Sequence, residues 1–327
     1  MRVLICHRPD GAFGYITDAW INCLSMVPEI EVKRWDGRLG SWDNFKPDLH
    51  MGCSGHRQPI PEKAKRKGCK VAIHANPYGP INVQPNINER PEAIKWVKDQ
   101  EPDAVYGYGL EKDRKYWSWW DRDGIPWVPM ACAGDATKFN PHNGNHEKDV
   151  VYLGGRWDYK AKSIDPYLLP VLRDRGLSCV VHGWGTWPSD LVVSRVPEAS
   201  VPAILASAKV GPCIAEPHTI RYGIDVPERV FKIALSGTVA IHDPAADFKN
   251  VLKSVPVATS PSDYHEKIRS LVGSKPEAIT AKARKQYKEV FGAHTYHHRL
   301  AGLFRTLGFN SESRSLSNSL ELLKVDF

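Results

Sequence analysis

Glycines followed by basic or aromatic side chains mark the places where this 327-residue sequence can do chemistry. In Gly154-Gly155-Arg156-Trp-Asp-Tyr-Lys160, two residues without side chains let backbone approach a ligand, while Arg156, Lys160 and Lys162 carry donors that suit phosphate oxygens. A glycine turn edged by solvated cations would carry the same letters. Gly183-Trp184-Gly-Thr-Trp-Pro188 could wall a base or a sugar, or serve as a structural turn. Gly11-Ala-Phe-Gly14 is a weaker phosphate- or sugar-loop pattern. His74, in His74-Ala-Asn-Pro-Tyr78, and Asp18 are acid–base candidates, although a single histidine is more often structural and Asp18 also reads as a helix-terminal charge. Lys63, Lys65, Arg66, Lys67 and Lys70 form a basic cluster that could track an anionic acceptor, or simply a solvated face.

Several chemistries are missing from the pattern. There is no GxSxG elbow, HExxH, Walker loop or EF-hand, and no GxGxxG after the first strand, which argues against an NAD-dependent enzyme. The seven cysteines are dispersed without a CxxC pair, so neither a disulfide framework nor a metal site is expected, and a reducing cytoplasm is the expected home.

The elements that must position these residues alternate strand and helix. In the first half, strands are expected at Val3–Cys6, Glu31–Trp35, Asp48–Cys53, Lys70–His74, Ala104–Tyr108 and Trp127–Met130. Helices are expected at 16–26, capped at Tyr15 or Thr17, at 62–67, at 91–98 and at 112–120, with Gly11–Gly14 as a tight loop. The polar run 140–149 is a domain crossing, after which the rhythm restarts. Strands follow at 150–153, 178–182, 210–214 and 238–241. Helices follow at 164–175, 201–207, 261–272, 276–291 and 294–307. Residues 310–319 read as a loose Ser/Asn-rich connection to a last short helix at 320–325. In the stretch from Asp225 to His242, Asp225 is the expected N-cap, Pro227 sits in the first turn, and Gly237 supplies a left-handed stop. The fold class is α/β with two successive Rossmann-like halves and parallel sheets.

Composition sets the bounds. Apolar residues make up 42% and charged residues 25%, as in a globular protein. No apolar run approaches the roughly 20 residues needed to span a bilayer, so no membrane insertion is expected, and no obligate protein partner is evident. The net charge is +7, with 24 Lys+Arg against 19 Asp+Glu after residue 145, a bias that suits a diphosphate ligand or nucleic acid, or chance. Eleven tryptophans can stack on sugars or bases, although most should be packing residues.

Taken in order, these pieces resemble a GT-B glycosyltransferase of the CgeB-like group within the "glycosyl transferases group 1" superfamily. The resemblance rests on Pro129–Pro141, Asp149–Arg156, Val201–Val210, Arg229–Gly237 and His294–Arg299, and covers about residues 127–305. The first half matches by architecture only. The resemblance implies an N-terminal acceptor domain at 1–145, a nucleotide-sugar donor domain at 146–293, and C-terminal helices at 294–327 packing back on the first domain, with a cleft between. It implies hexosyl or pentosyl transfer with a nucleotide-diphosphate-sugar, UDP-sugar foremost, as co-substrate and no metal required. Gly14, Gly155, Trp184, Arg221, Tyr222 and Arg229 join Arg156 and Lys160 as donor residues, with Arg156, Lys160, Arg221 and Arg229 as the phosphate contacts. Tyr78 joins Lys63, Lys65, Arg66 and Lys67 as acceptor residues.

One departure stands out. Related retaining enzymes place a ribose-binding glutamate five residues before the glycine stop, where this chain has Lys232, and a partner acid eight positions earlier, where it has Ile224. Glu228, one turn before Lys232, could take the ribose hydroxyls or pair with the lysine. The acceptor is expected to be DNA with a hydroxymethylated pyrimidine, with a polysaccharide, protein or small molecule as alternatives. A non-catalytic GT-B module that binds nucleotide-sugar or nucleic acid, and a nucleotide-sugar epimerase of the same architecture, are the rival functions.

Overall fold

The protein is described by a computed structural model over residues 1–6, 11–35, 38–58, 60–75, 91–107, 109–141, 146–217, 219, 226–244 and 248–327. It divides into two compact units, Met1–Cys132 with Tyr296–Leu323, and Ala133–Thr295 with Lys324–Phe327.

In the first unit, β1 (Arg2–Ile5), β2 (Glu31–Arg34), β3 (Leu49–Cys53), β4 (Lys70–His74), β5 (Ala104–Gly107) and β6 (Trp127–Pro129) form one sheet in the order β2-β1-β3-β4-β5-β6. Every pairing is parallel. The inner strands are apolar along their length because helices cover both faces of such a sheet. The chain direction reverses between β1 and β3, and a crevice at the carboxyl ends of strands opens at such a point.

Helix α1 (Gly11–Ser25) begins at Gly11, so the expected Gly11–Gly14 loop is helix. Ile16, Ala19, Trp20, Cys23 and Leu24 form a buried stripe, and that tertiary burial outweighs the low helix propensity of two glycines. Helix α2 (Leu39–Phe45) was not expected; Trp42 and Phe45 pack with Leu4 and Trp35. Helix α3 (Pro91–Asp99) stands where the pattern placed it. The expected helix at 112–120 is broken into a 3-10 turn, Glu111–Tyr116, and α4 (Ser118–Arg122). The cause is side-chain competition: Asp113 accepts from the Leu110 N–H, and Arg114 is drawn to Glu111, Asp121 and the Trp127 carbonyl. Trp117 and Trp127 stack 4.9 Å apart against Gly109, so these aromatics are core.

In the second unit, β7 (Lys148–Leu153), β8 (Cys179–His182), β9 (Val193–Ser194), β10 (Ala208–Cys213) and β11 (Val239–His242) form a parallel sheet in the order β11-β10-β7-β8-β9. Counted within the unit this is the order 5-4-1-2-3, which reverses between β7 and β10. Helices α5 (Asp158–Leu172), α6 (Val201–Ala206), α7 (Glu228–Leu235), α8 (Phe248–Val251), α9 (Pro261–Val272) and α10 (Pro276–Ala293) accompany it. Val150, Tyr152, Ile164, Leu168, Val210, Ile241, Tyr264 and Ile268 share one core. Ser260 caps α9 by accepting from the Asp263 N–H at 3.1 Å.

Helix α5 starts six residues earlier than the pattern suggested, because extended Trp157 ends the loop, and Lys160 is therefore helical. Gly237 after α7 has φ +78, the left-handed stop anticipated for it. Asp225 lies outside the described residues, and α7 begins at Glu228 after extended Pro227.

Two final helices, α11 (Tyr296–Thr306) and α12 (Asn310–Glu321), belong to the first unit. Residues 310–319 are thus a helix and not a loose connection, and no separate helix follows at 320–325. Leu316 and Leu320 bury one face, and the serines that look loop-forming let α12 approach α11 closely. The Ser313 hydroxyl donates to the Ala301 carbonyl at 2.9 Å.

Candidate functional site

Where the second sheet reverses direction, the chain leaves β7 through Leu153-Gly154-Gly155 and β10 through Ile214-Ala215-Glu216. Three charged side chains gather there. Arg229, from the first turn of α7, donates from Nε to the Leu153 carbonyl at 2.6 Å, and its guanidinium lies 4.7 Å from the centre of the Tyr152 ring. A methyl group on Gly154 would sit 2.4 Å from Nη2 of Arg229, so this glycine is what lets the arginine lie along the strand end. Lys160, from the first turn of α5, is buried, with Nζ 4.8 Å from the Trp157 ring and 3.6 Å from Oε1 of Glu216. Burial and the neighbouring Arg229 pull the Lys160 amine down to about 8, against the opposing pull of Glu216. A buried lysine and a half-buried arginine facing one carboxylate leave an excess of positive charge in a place of lowered dielectric. Such a place favours an anion with several oxygens.

Around this cluster, the remaining expected donor residues divide. The Arg156 guanidinium is held bidentate by Asp165, at 2.8 and 2.6 Å, so the arginine expected on phosphate braces α5 instead. Trp184 is 52% exposed and its ring covers Gly155, where a methyl group would meet Cε2 at 2.5 Å. The Gly183–Pro188 turn is pinned by Arg156 N–H to Trp184 O at 2.9 Å and Thr186 N–H to Arg156 O at 3.0 Å. Gly185 there has φ +89. Lys232 pairs with Glu228 one turn earlier at 2.5 Å. The Lys232 amine also lies 5.6 Å from the Phe139 ring. Arg221 and Tyr222 lie outside the described residues.

Further along the strand ends, His242 and Asp243 form a fully buried pair, Nδ1 to Oδ1 2.7 Å. Burial opposes the His242 charge, but Cys213 and Asp243 outweigh it and push the imidazole up to about 10. The Ala215 N–H donates to Asp243 at 3.2 Å, which ties this pair to the strand end that carries Glu216.

In the first unit, Gly14 is buried in the opening turn of α1. His74 ends β4 at 2% exposure, with Nδ1 3.7 Å from the Cys53 sulfur and its ring against Phe13 and Tyr106. Asp18 lies two turns into α1, not at its terminus, with a solvent-open carboxylate paired to Arg34. Of the basic cluster, Lys63 and Lys65 stand in solvent near Glu101 and Glu62, and Lys67 is exposed. Arg66 is the exception: it is 5% exposed and donates to the carbonyls of Gln100 and Glu101, at 2.9 and 3.4 Å, so it closes the fold and is not a surface cation. Tyr78 lies outside the described residues. All seven cysteines are free, and among the described residues no three His, Cys, Asp or Glu side chains gather as a cation site.

Sequence reasoning missed Glu216, Tyr152 and the His242–Asp243 pair. Strand-end carboxylates and aromatics carry no spacing signature, and only the reversal between β7 and β10 brings them together.

Known proteins point the same way. Residues 166–305 match the family model described as glycosyl transferase-like. A sequence search among curated proteins finds no match. Among solved structures, sucrose-phosphate synthase from Thermosynechococcus elongatus superposes with a TM-score of 0.63 at 9% identity, covering 98% of this chain and 100% of that one. T4 phage BGT in complex with UDP and Mn2+ gives 0.55 at 12% identity over 96% and 99%. The DNA modifying enzyme β-glucosyltransferase, solved with and without uridine diphosphoglucose, gives 0.53 at 11% identity over 96% and 99%. No helix among the described residues is long and apolar enough to cross a membrane. With two parallel Rossmann-like sheets and a cationic strand-end site in the second, the chain has the GT-B fold, and its residues 166–305 are glycosyl transferase-like.

Proposed function

We propose that this enzyme takes a sugar from a uridine-diphosphate donor held by the second unit and places it on a hydroxymethylated pyrimidine of DNA bound through the first. The observation that carries the donor half is the pair of cations, buried Lys160 and half-buried Arg229, at the reversal between β7 and β10. As the glycosidic bond to the diphosphate breaks, negative charge grows on the leaving oxygens. Two preorganised cations in a dry site stabilise that charge without reorganising at the moment of reaction. Trp184, exposed beside Gly155, offers a flat face for the base or the sugar. Arg156 and Glu228 act one layer out, bracing α5 and holding Lys232.

The DNA half is supported by the excess of basic residues and by likeness to two solved proteins, one binding UDP and one described as DNA modifying. Lys63, Lys65 and Lys67 are the accessible cations for that strand, and Arg66 is withdrawn from the set. Asp18 is the acid–base candidate open to solvent; His74 sits in the interior.

Calorimetry with UDP, GDP, ADP and dTDP tests the donor reading. UDP should bind, and Lys160→Met should weaken it at least about tenfold, the loss of one charge-assisted contact. Binding to none of the four would overturn it. Adding Mn2+ or a chelator to the same titration shows whether a metal shares the diphosphate. Mass spectrometry of hydroxymethylated DNA after incubation with mixed UDP-sugars should show the mass of one sugar per modified base. Sugar appearing on a glycan or small-molecule acceptor and never on DNA would overturn the acceptor.

A further inference from the structure

We infer that the solvent face of α10, extended by Lys253, is a docking ridge for the phosphate backbone of nucleic acid, separate from the strand-end site. Helix α10 spans 18 residues, and its inner face buries Ile279, Ala283, Gln286, Tyr287 and Val290. At 100° per residue, the opposite arc presents Lys282, Arg284, Lys285 and Lys288, all exposed. None of the four, nor exposed Lys253, enters an ion pair among the described residues. Exposed Lys148 in β7 and Lys162 in α5 also enter no ion pair among the described residues, whereas α10 sets four such cations on one helix face.

Two acids lie on this arc: Glu277, exposed in the first turn ahead of the cations, and Glu289, which does not balance them. Glu289 accepts from the backbone N–H groups of Lys253 and Ser254, at 2.7 and 2.9 Å, and from the Ser254 hydroxyl. Its carboxylate is turned inward on the loop, and those bonds hold it well within the ionised range while keeping it off the lysines. The same bonds fix Lys253 beside the helix, so five cations share one rigid surface.

A linear polyanion matches that surface. Lys282 to Lys288 spans six residues, about 9 Å of helix rise, which is the scale of neighbouring phosphates along one strand. Nucleic acid is favoured over a lipid surface, because membrane-lying helices bring apolar side chains to the bilayer beside their cations. Here the apolar face of α10 is buried in the core, and the exposed apolar side chains of the helix are only proline and alanine.

This ridge extends the proposal of a DNA acceptor but stands on different residues. The test is binding of a fluorescent duplex of about 24 base pairs, followed by anisotropy across a salt series. With Lys63, Lys65 and Lys67 also on the strand, wild type should show a slope of log K against log salt of about −7, and Lys282→Glu/Arg284→Glu/Lys285→Glu/Lys288→Glu should flatten it by about 3 to 4. Single substitutions, Lys285→Gln first, should each remove about one unit of slope, a graded response that misfolding does not produce. UDP affinity and thermal midpoint, measured on the same samples, should stay at wild-type values. An unchanged slope in the quadruple variant overturns the ridge, as does ridge-dependent binding to phosphatidylserine vesicles or polyglutamate in place of DNA. DNA held through the ridge but never glycosylated would overturn the acceptor reading alone. Glycosylation of DNA with an unchanged slope would overturn the ridge alone.

Discussion

Lys160 is the residue on which charge and burial conflict most directly. Its folded amine sits near 8 against an ordinary 10.5, so between those values the unfolded chain holds the extra proton. Stability therefore rises with pH from about 8 to about 10.5, and the strain of keeping the charge buried is present in full below 8. Lys160→Met should stabilise the protein at pH 7, by up to on the order of 3 kcal/mol, in urea unfolding, and should abolish that rise with pH. The opposite is expected for the ligand. A diphosphate needs the amine charged, so UDP affinity should fall as pH climbs through 8, and Lys160→Arg should flatten the profile in calorimetry. Arg156, Lys160 and Arg229 were all legible in the sequence as cations near glycines, but their ranking was not. Asp165 claims Arg156 across two turns of a helix whose start was misplaced, and Glu216 comes from another strand altogether.

At the scale of elements, α7 shows why a departure from a family pattern need not be a loss. With lysine at 232, the helix gains an i,i+4 pair with Glu228 that is largely shielded from water. Restoring the acid with Lys232→Glu places like charges one turn apart and should lower stability by about 1 kcal/mol in urea unfolding, more at low salt. Helix α7 is also seated tightly on β10. A methyl group on Gly211 would meet the Ile233 side chain at 2.7 Å. Gly211→Ala should therefore cost about 1–3 kcal/mol, measurable as a lowered thermal midpoint, because the helix must shift or Ile233 must leave its rotamer. Gly237 announced the stop of this helix from sequence alone, since a left-handed C-terminal turn is local chemistry, whereas the N-cap is Pro227 and not the expected Asp225. The serine-rich α12 could not be read that way. Serine favours turns in isolation, and only burial of Leu316 and Leu320 against its neighbours makes the segment helical.

At the scale of the whole molecule, the chain goes back to its first unit before it ends in its second. Helices α11 and α12 belong to the first unit, through contacts such as Cys23 Sγ to His297 Nδ1 at 3.4 Å and Arg299 Nε to the Ala131 carbonyl at 3.1 Å. The last residues then return to the second, where Val325 N–H donates to the Tyr287 hydroxyl and Phe327 lies against Gly237. A chain stopped after Thr295 should leave the first unit with an uncovered apolar face and aggregate on expression, whereas removal of 324–327 should only lower the thermal midpoint by a few degrees. Two parallel α/β halves, the strand order along the chain and the family resemblance were determined by the sequence itself, because hydrophobic period, glycine stops and caps act over a few residues. Which cations form a site, which acids neutralise others, and that the serine-rich segment before Glu321 is helix were decided only by tertiary structure. Those outcomes depend on charges and apolar faces from distant strands meeting at one sheet reversal, and spacing along the chain carries no record of that meeting.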